Sequence, residues 1–182
     1  MSDDHSHQLP VMNAPFVPAK SAAGFVVGMS FSEAVSRISA QDKITFDERN
    51  MASIDYDNFI EKNEGWVSHI QKNIQDQSTK KQIVFRSKIV VLNFASNDIL
   101  YRIVVGGDYQ SKIGGVGTGD DIAQIGAGYS VEFNPVEDDF ILYKDGEWVP
   151  GLHFWTDAMQ PLNLVPHQVI NFVSIHDVSL AG

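Results

Sequence analysis

Hydrophobic and polar residues follow one another in two different rhythms along this chain, a helical one near the start and an alternating one after it. Phe31, Ala34, Val35 and Ile38 fall at i, i+3, i+4 and i+7, the spacing of a single buried helical face. Gly28-Met29-Ser30-Phe31-Ser32-Glu33 precedes and overlaps that run and reads as turn, N-cap and first helical turn. Short strands are predicted on either side of it, at residues 25–27 and 43–47. A second helix is predicted over residues 56–74, where Phe59, Ile60, Trp66, Val67, Ile70 and Ile74 repeat at helical spacing despite Gly65. From residue 82 onward the rhythm becomes that of strands. Residues 82–95 and 99–105 read as a hairpin turned at Asn97-Asp98, and residues 129–133 and 139–143 flank the turn residues Asn134-Pro135. Asp145-Gly146 marks a further turn before strands at 149–156 and 169–175. The predicted fold is α+β, with a mostly antiparallel sheet of about six or seven strands and two or three helices.

The glycine-led helix start occurs twice. Gly119-Asp120-Asp121-Ile122-Ala123-Gln124 repeats the order seen at Gly28: glycine, a capping side chain two residues on, then an apolar and a small residue. The expectation is a chain built from two related strand-helix-strand units. Residues 1–22 carry Pro10, Pro15 and Pro18 among polar and small residues and predict a flexible arm. Val11, Met12, Phe16 and Val17 leave open that this arm docks on the domain or on a neighbour. Residues 23–182 are expected to form one α+β domain.

Composition narrows the function more than any motif. With 23 acidic and 13 basic side chains, the formal charge of -10 sets up a field that repels phosphate backbones and anionic lipid. Nucleic acid and membrane surfaces are therefore not expected as partners, whereas a basic protein surface is favoured. The absence of cysteine excludes disulfides, thiolate nucleophiles and Cys-based metal sites. The start of the chain has no basic or apolar leader region, and no apolar run approaches the roughly 20 residues that span a bilayer. A cytoplasmic location is the expectation.

Chemistry-bearing candidates each have a plainer alternative. The stretch Gly114 to Gly119 resembles a phosphate cradle, but Gly119-Asp120-Asp121 stands where a P-loop needs Gly-Lys-Ser/Thr, and a turn with a carboxylate cap is the alternative. His153 and Asp157 are four apart, yet along a strand that places them about 13 Å from each other. His167, His176 and Asp177 add no chelating pair, and His5 and His7 lie in the arm. No metal or other cofactor is expected. Nor is there a Gly-x-Ser-x-Gly or His-Glu-x-x-His motif, so no catalytic residue is assigned.

The acidic residues Glu132, Glu137, Asp138 and Asp139, with Asp120 and Asp121 nearby in sequence, precede Tyr143, Trp148 and Trp155, side-chain types that anchor interfaces inside a charged rim. These nine are the candidate partner-binding residues. The alternatives are a solvated hairpin tip and aromatics that cap the edges of the core. Alternation also requires Phe154 and Trp155 to face opposite sides, so that Trp155 points outward if Phe154 is core.

Across residues 24–157 the runs Lys88-Ile89-Val90-Val91-Leu92-Asn93-Phe94, Ile99-Leu100-Tyr101-Arg102-Ile103, Gly119-Asp120-Asp121-Ile122, Asp139-Phe140-Ile141-Leu142-Tyr143 and Pro150-Gly151-Leu152-His153-Phe154 resemble small cytoplasmic immunity proteins of bacterial polymorphic toxin systems. The resemblance implies a non-enzymatic protein that binds the effector domain of a cognate toxin, delivered by contact-dependent or type VI secretion, and covers or distorts its active site. It carries over no catalytic residue. Two other readings stay open: a ligand- or nucleotide-binding protein or enzyme using the Gly114–Gly119 turn, and a self-assembling structural protein that associates through the helix predicted at 56–74.

Overall fold

The alternating runs become strands, and more of the chain joins them than periodicity suggests. A computed structural model describes residues 8–47, 59–72 and 79–181. Strands β1 (Ser21–Ala22) and β2 (Phe25–Val26) form a small antiparallel ribbon. The remaining strands are β3 (Ile44–Asp47), β4 (Trp66–Lys72), β5 (Thr79–Phe85), β6 (Val90–Phe94), β7 (Leu100–Gly106), β8 (Tyr129–Asn134), β9 (Asp139–Lys144), β10 (Glu147–Thr156) and β11 (Ile170–His176). They make one nine-stranded sheet in the order β3-β4-β5-β6-β7-β11-β10-β9-β8. Only β3 and β4 run parallel; every other pair in the sheet is antiparallel.

The α+β class is therefore as predicted, and the strand count rises from six or seven to nine for two physical reasons. The run at 82–95 is broken by Arg86, Ser87 and Lys88, all at positive φ (35°, 32° and 68°), which reverse the chain between β5 and β6 without a glycine or proline to signal it. The segment predicted as a helix over 56–74 contributes β4 instead. Residues 59–61 are helical, but the Asn63 side chain accepts a 2.9 Å hydrogen bond from the Gly65 N–H and turns the chain into the strand. Residues 56–58, 73 and 74 of that prediction lie outside the described residues. Both faces of β4 are covered: Trp66 enters the main core, and Val67 packs with Ile60 and Val84 in a second cluster. A strand buried on both faces loses its period of two, which is why its apolar positions also fit a helix.

The first glycine-led start behaves as predicted. Helix α1 (Phe31–Ser39) is capped by the Ser30 hydroxyl, which accepts from the Glu33 N–H, and it buries Ala34 and Ile38. The second yields a single 3-10 turn at Ile122–Gln124, capped by Asp121. There the Gly126 N–H bonds back to the Gly114 carbonyl at 2.6 Å, which pulls the chain onto the glycine loop after one turn. Two related strand-helix-strand units are thus not what the chain builds.

One face of the sheet carries the core. Val90, Val105, Val173, Phe154 and Phe140 stand side by side on successive strands and are sealed from water. Phe25 from the ribbon, Ile38 from α1 and Ile122 cover them, each fully buried, and burying a side chain of this size stabilises by about 1.5–3 kcal/mol. Of the arm expected over residues 1–22, residues 1–7 lie outside the described residues, and residues 8–22 lie on the same face with Leu9, Phe16 and Ala22 buried, which is the docked arrangement left open above. Tyr109 fastens them: its hydroxyl donates to the Ala14 carbonyl at 2.7 Å and accepts from the Ala23 N–H at 2.9 Å. Burial pushes its phenol up to about 12. At the β9–β10 hairpin, Asp145 and Gly146 both adopt positive φ (51° and 84°), the two-residue turn expected there.

Gly151 closes the arm against the sheet. Its φ is +73°, its carbonyl accepts from the Ala19 N–H, and a Cβ placed on it would lie 2.6 Å from Ala19 Cβ and closer still to the His176 carbonyl. Gly151→Ala is expected to lower the free energy of unfolding by about 2 kcal/mol or more, read as a lower urea midpoint with an unchanged slope. An unaltered midpoint would show that the arm is not held at this point.

Candidate binding groove on the open sheet face

Among the described residues the other face of the sheet has far less cover, and its register sorts residues by chemistry. Val67, Val84, Val91 and Val104 stand directly opposite one another on β4 to β7, a row that continues through Ser174, His153 and Ile141 to Glu132 on β8. Beside it runs a polar row: Asp47, His69, Gln82, Asn93, Arg102 and His176. A groove of about 710 Å³ opens over this face. Val84, Val91 and Val104 form its floor, Trp155 and Phe172 line it as aromatic walls, and Arg102, Asn93 and Asn171 supply polar groups. Phe172 lies flat across Gly106, where a Cβ would stand 2.5 Å from its ring. Glu137, Asp138 and Asp157 add carboxylates.

Several of the predicted partner-binding residues share this face, by the alternation of β8, β9 and β10. Phe154 is sealed in the core and Trp155 lines the groove, as alternation required. Glu137 and Asp138 occupy the β8–β9 turn at its margin, where Asp138 adopts φ 54°. Glu132 and Tyr143 hydrogen-bond to each other farther out, which holds the Tyr143 phenol above its usual range. Trp148 lies opposite Tyr143 and is 56% exposed.

Three predicted residues are engaged in contacts within the protein instead. Asp139 is only 2% exposed, because as the first residue of β9 it points along the sheet face and not out from the turn; its carboxylate accepts from Asn134 Nδ2 at 2.9 Å and meets His153 Nδ1 at 2.6 Å. Asp120 sits in a different loop, paired with Lys112 Nζ at 2.8 Å and accepting from the Gly117 N–H. Its neighbour Asp121 caps the 3-10 turn and meets His167 Nδ1 at 2.7 Å. These contacts hold both carboxyls below their ordinary range, led by Lys112 for Asp120 and by the Ala123 N–H for Asp121. The glycine loop is consumed likewise: the N–H of Gly117 goes to Asp120 and that of Gly119 to the Ile170 carbonyl at 2.8 Å, so neither faces outward for a phosphate.

Sequence reading missed the polar cluster at one end of the groove. His176 packs edge-on against His153, with ring centres 4.5 Å apart, and shares a 3.2 Å hydrogen bond with Ser174. Arg102 stacks 5.7 Å from the Trp155 ring, and its Nε is closed off from solvent without a hydrogen-bond partner. Arg102, His153 and His176 lie on three different strands, and only the order β10-β11-β7 joins them. Asp139 pairs with His153, while Ser174, directly across the strand pair from His153, bonds His176. Among the described residues no group of three or more His, Asp or Glu side chains is arranged to hold a metal ion, and no helix is long and apolar enough to cross a membrane. Comparison with known protein families, characterised proteins and solved structures gives no match.

Burial, with smaller contributions from His153 and Arg102, pushes the His176 imidazole down from 6.5 to about 4. The folded protein therefore keeps it neutral while the unfolded chain takes up a proton below pH 6.5, so stability present above that pH is lost as pH falls toward 4. His69, also lowered by burial, acts in the same direction. His176→Asn is expected to flatten the fall in urea midpoint between pH 7 and pH 5, leaving the smaller slope due to His69. An identical slope in wild type and variant would remove His176 from the account.

Proposed function

We propose that this protein works by binding, without chemistry of its own, through the open face of its nine-stranded sheet, and that its partner is the effector domain of a toxin. The observation that carries the first half is the groove, in which an outward tryptophan, a second aromatic and a row of valines lie beside carboxylates. Interfaces that bind tightly combine such anchors with a charged rim. The second half is supported by the resemblance to immunity proteins and by the formal charge of -10, which favours a basic contact surface on the partner. In this reading the effector is steered electrostatically toward Glu137 and Asp138 and then anchored on Trp155, with Trp148 and Tyr143 extending the contact toward the sheet edge. The protein acts in the cytoplasm of the cell that the toxin would otherwise damage.

Co-expression with the product of the neighbouring reading frame tests this directly. Rescue from toxicity and co-purification as a complex are expected. Within that complex Trp155→Ala should raise the dissociation rate by about tenfold or more. Glu137→Lys with Asp138→Lys should slow association and weaken its dependence on salt. A harmless neighbour that forms no complex would overturn the toxin reading, and a complex indifferent to all three substitutions would move the contact to another surface.

A further inference from the structure

Arg102, Glu137 and Asp138 line the groove, and among the described residues no ion pair joins them. Arg102 contributes a guanidinium stacked on Trp155, and among the described residues it forms no ion pair. Its Nε is shut off from solvent and makes no hydrogen bond to any described residue. Glu137 and Asp138, which line the same groove, likewise form no ion pair with any described residue. Arg102 thus brings to the groove lining a positive charge that no carboxylate of the described residues answers, and a bound carboxylate would answer it through strong charge-assisted hydrogen bonds.

We infer that the groove is a site for a small zwitterion with an apolar body, the chemistry of a short peptide with free termini and apolar side chains. Its carboxylate accepts from Arg102, its ammonium is held by the carboxylates of the β8–β9 turn, and its side chains lie on Val84, Val91 and Val104 between Trp155 and Phe172. A simple anion fits less well, because Glu137, Asp138 and Asp157 repel it. A simple cation leaves Arg102 unanswered. The volume of about 710 Å³ accommodates a dipeptide and lies within the range usual for sites of small ligands. This goes beyond the toxin reading and depends only on the groove being a binding surface.

Calorimetry with leucyl-phenylalanine, its C-terminal amide and its N-acetyl derivative tests the assignment on the intact wild-type chain. The free dipeptide is expected to bind, with each capped form weaker by about tenfold or more. In Arg102→Gln the free dipeptide and its amide should bind alike, since the carboxylate has lost its partner. Equal affinity of the dipeptide and its amide for wild type would overturn the inference, as would failure of all three probes to bind at millimolar concentration. Because the capped probes are read on wild type, the outcome does not hang on how well the Arg102 variant folds. Dipeptide binding without an effector complex would count against the toxin reading alone, and a complex without dipeptide binding would count against the zwitterion alone.

Discussion

A sheet of nine strands has two faces to shield from water, and in this protein the helix, the ribbon, the arm and the glycine loop all pack on the same one. Everything else in the molecule follows from that imbalance. The shielded face can afford continuous apolar rows such as Val90, Val105, Val173 and Phe154. The other face must be compatible with solvent along part of its extent, and it answers with an apolar row alongside a polar one, the second running from Asp47 to His176. Helical residues 59–61 cover only a corner of it, through Ile60 on Val67 and Val84. The groove is the part that the described residues leave uncovered.

The two faces also differ in the kind of interaction that holds them. On the core side, shape and dispersion dominate, as where Phe25 meets Trp66 edge to face at 5.7 Å. On the open side, polar groups are satisfied pairwise: Gln82 with Asn93 at 2.7 Å, Asp139 with His153, Ser174 with His176. Arg102 stands apart in that series, since its Nε lacks a partner. Polar networks of this kind fix strand register as firmly as an apolar core does, because a slip of one residue would carry each member to the wrong face.

Much of the fold was legible in the chain because local chemistry and tertiary structure agree there. The Ser30 cap, the α1 face, the Asp145-Gly146 hairpin and the opposed Phe154 and Trp155 are each settled within a few residues. Legibility failed where tertiary burial overrode local pattern. Trp66 and Val67 are both buried, so β4 shows no alternation, and Arg86-Ser87-Lys88 turns without the residues that usually announce a turn. The site was half legible: Trp155, Glu137 and Asp138 could be found from strand alternation and turn chemistry. Arg102, His176 and the burial of Asp139 could not, because they depend on β11 lying between β7 and β10, a neighbour relation that no short stretch of sequence encodes.

That placement of β11 has a consequence for how the molecule comes into being. Strands β4 to β7 and β8 to β10 are two meanders whose partners are adjacent in the chain, so each can begin to form as it leaves the ribosome. The strand that joins them follows both in the chain. Until it arrives, β7 and β10 both present an open edge, and the two meanders are separate bodies with unpaired backbone facing each other across a gap one strand wide. Slow, non-local closure of this kind leaves edges exposed to wrong pairings for longer than local hairpins do. The groove, which draws residues from both meanders and from β11 itself, exists only after that final insertion.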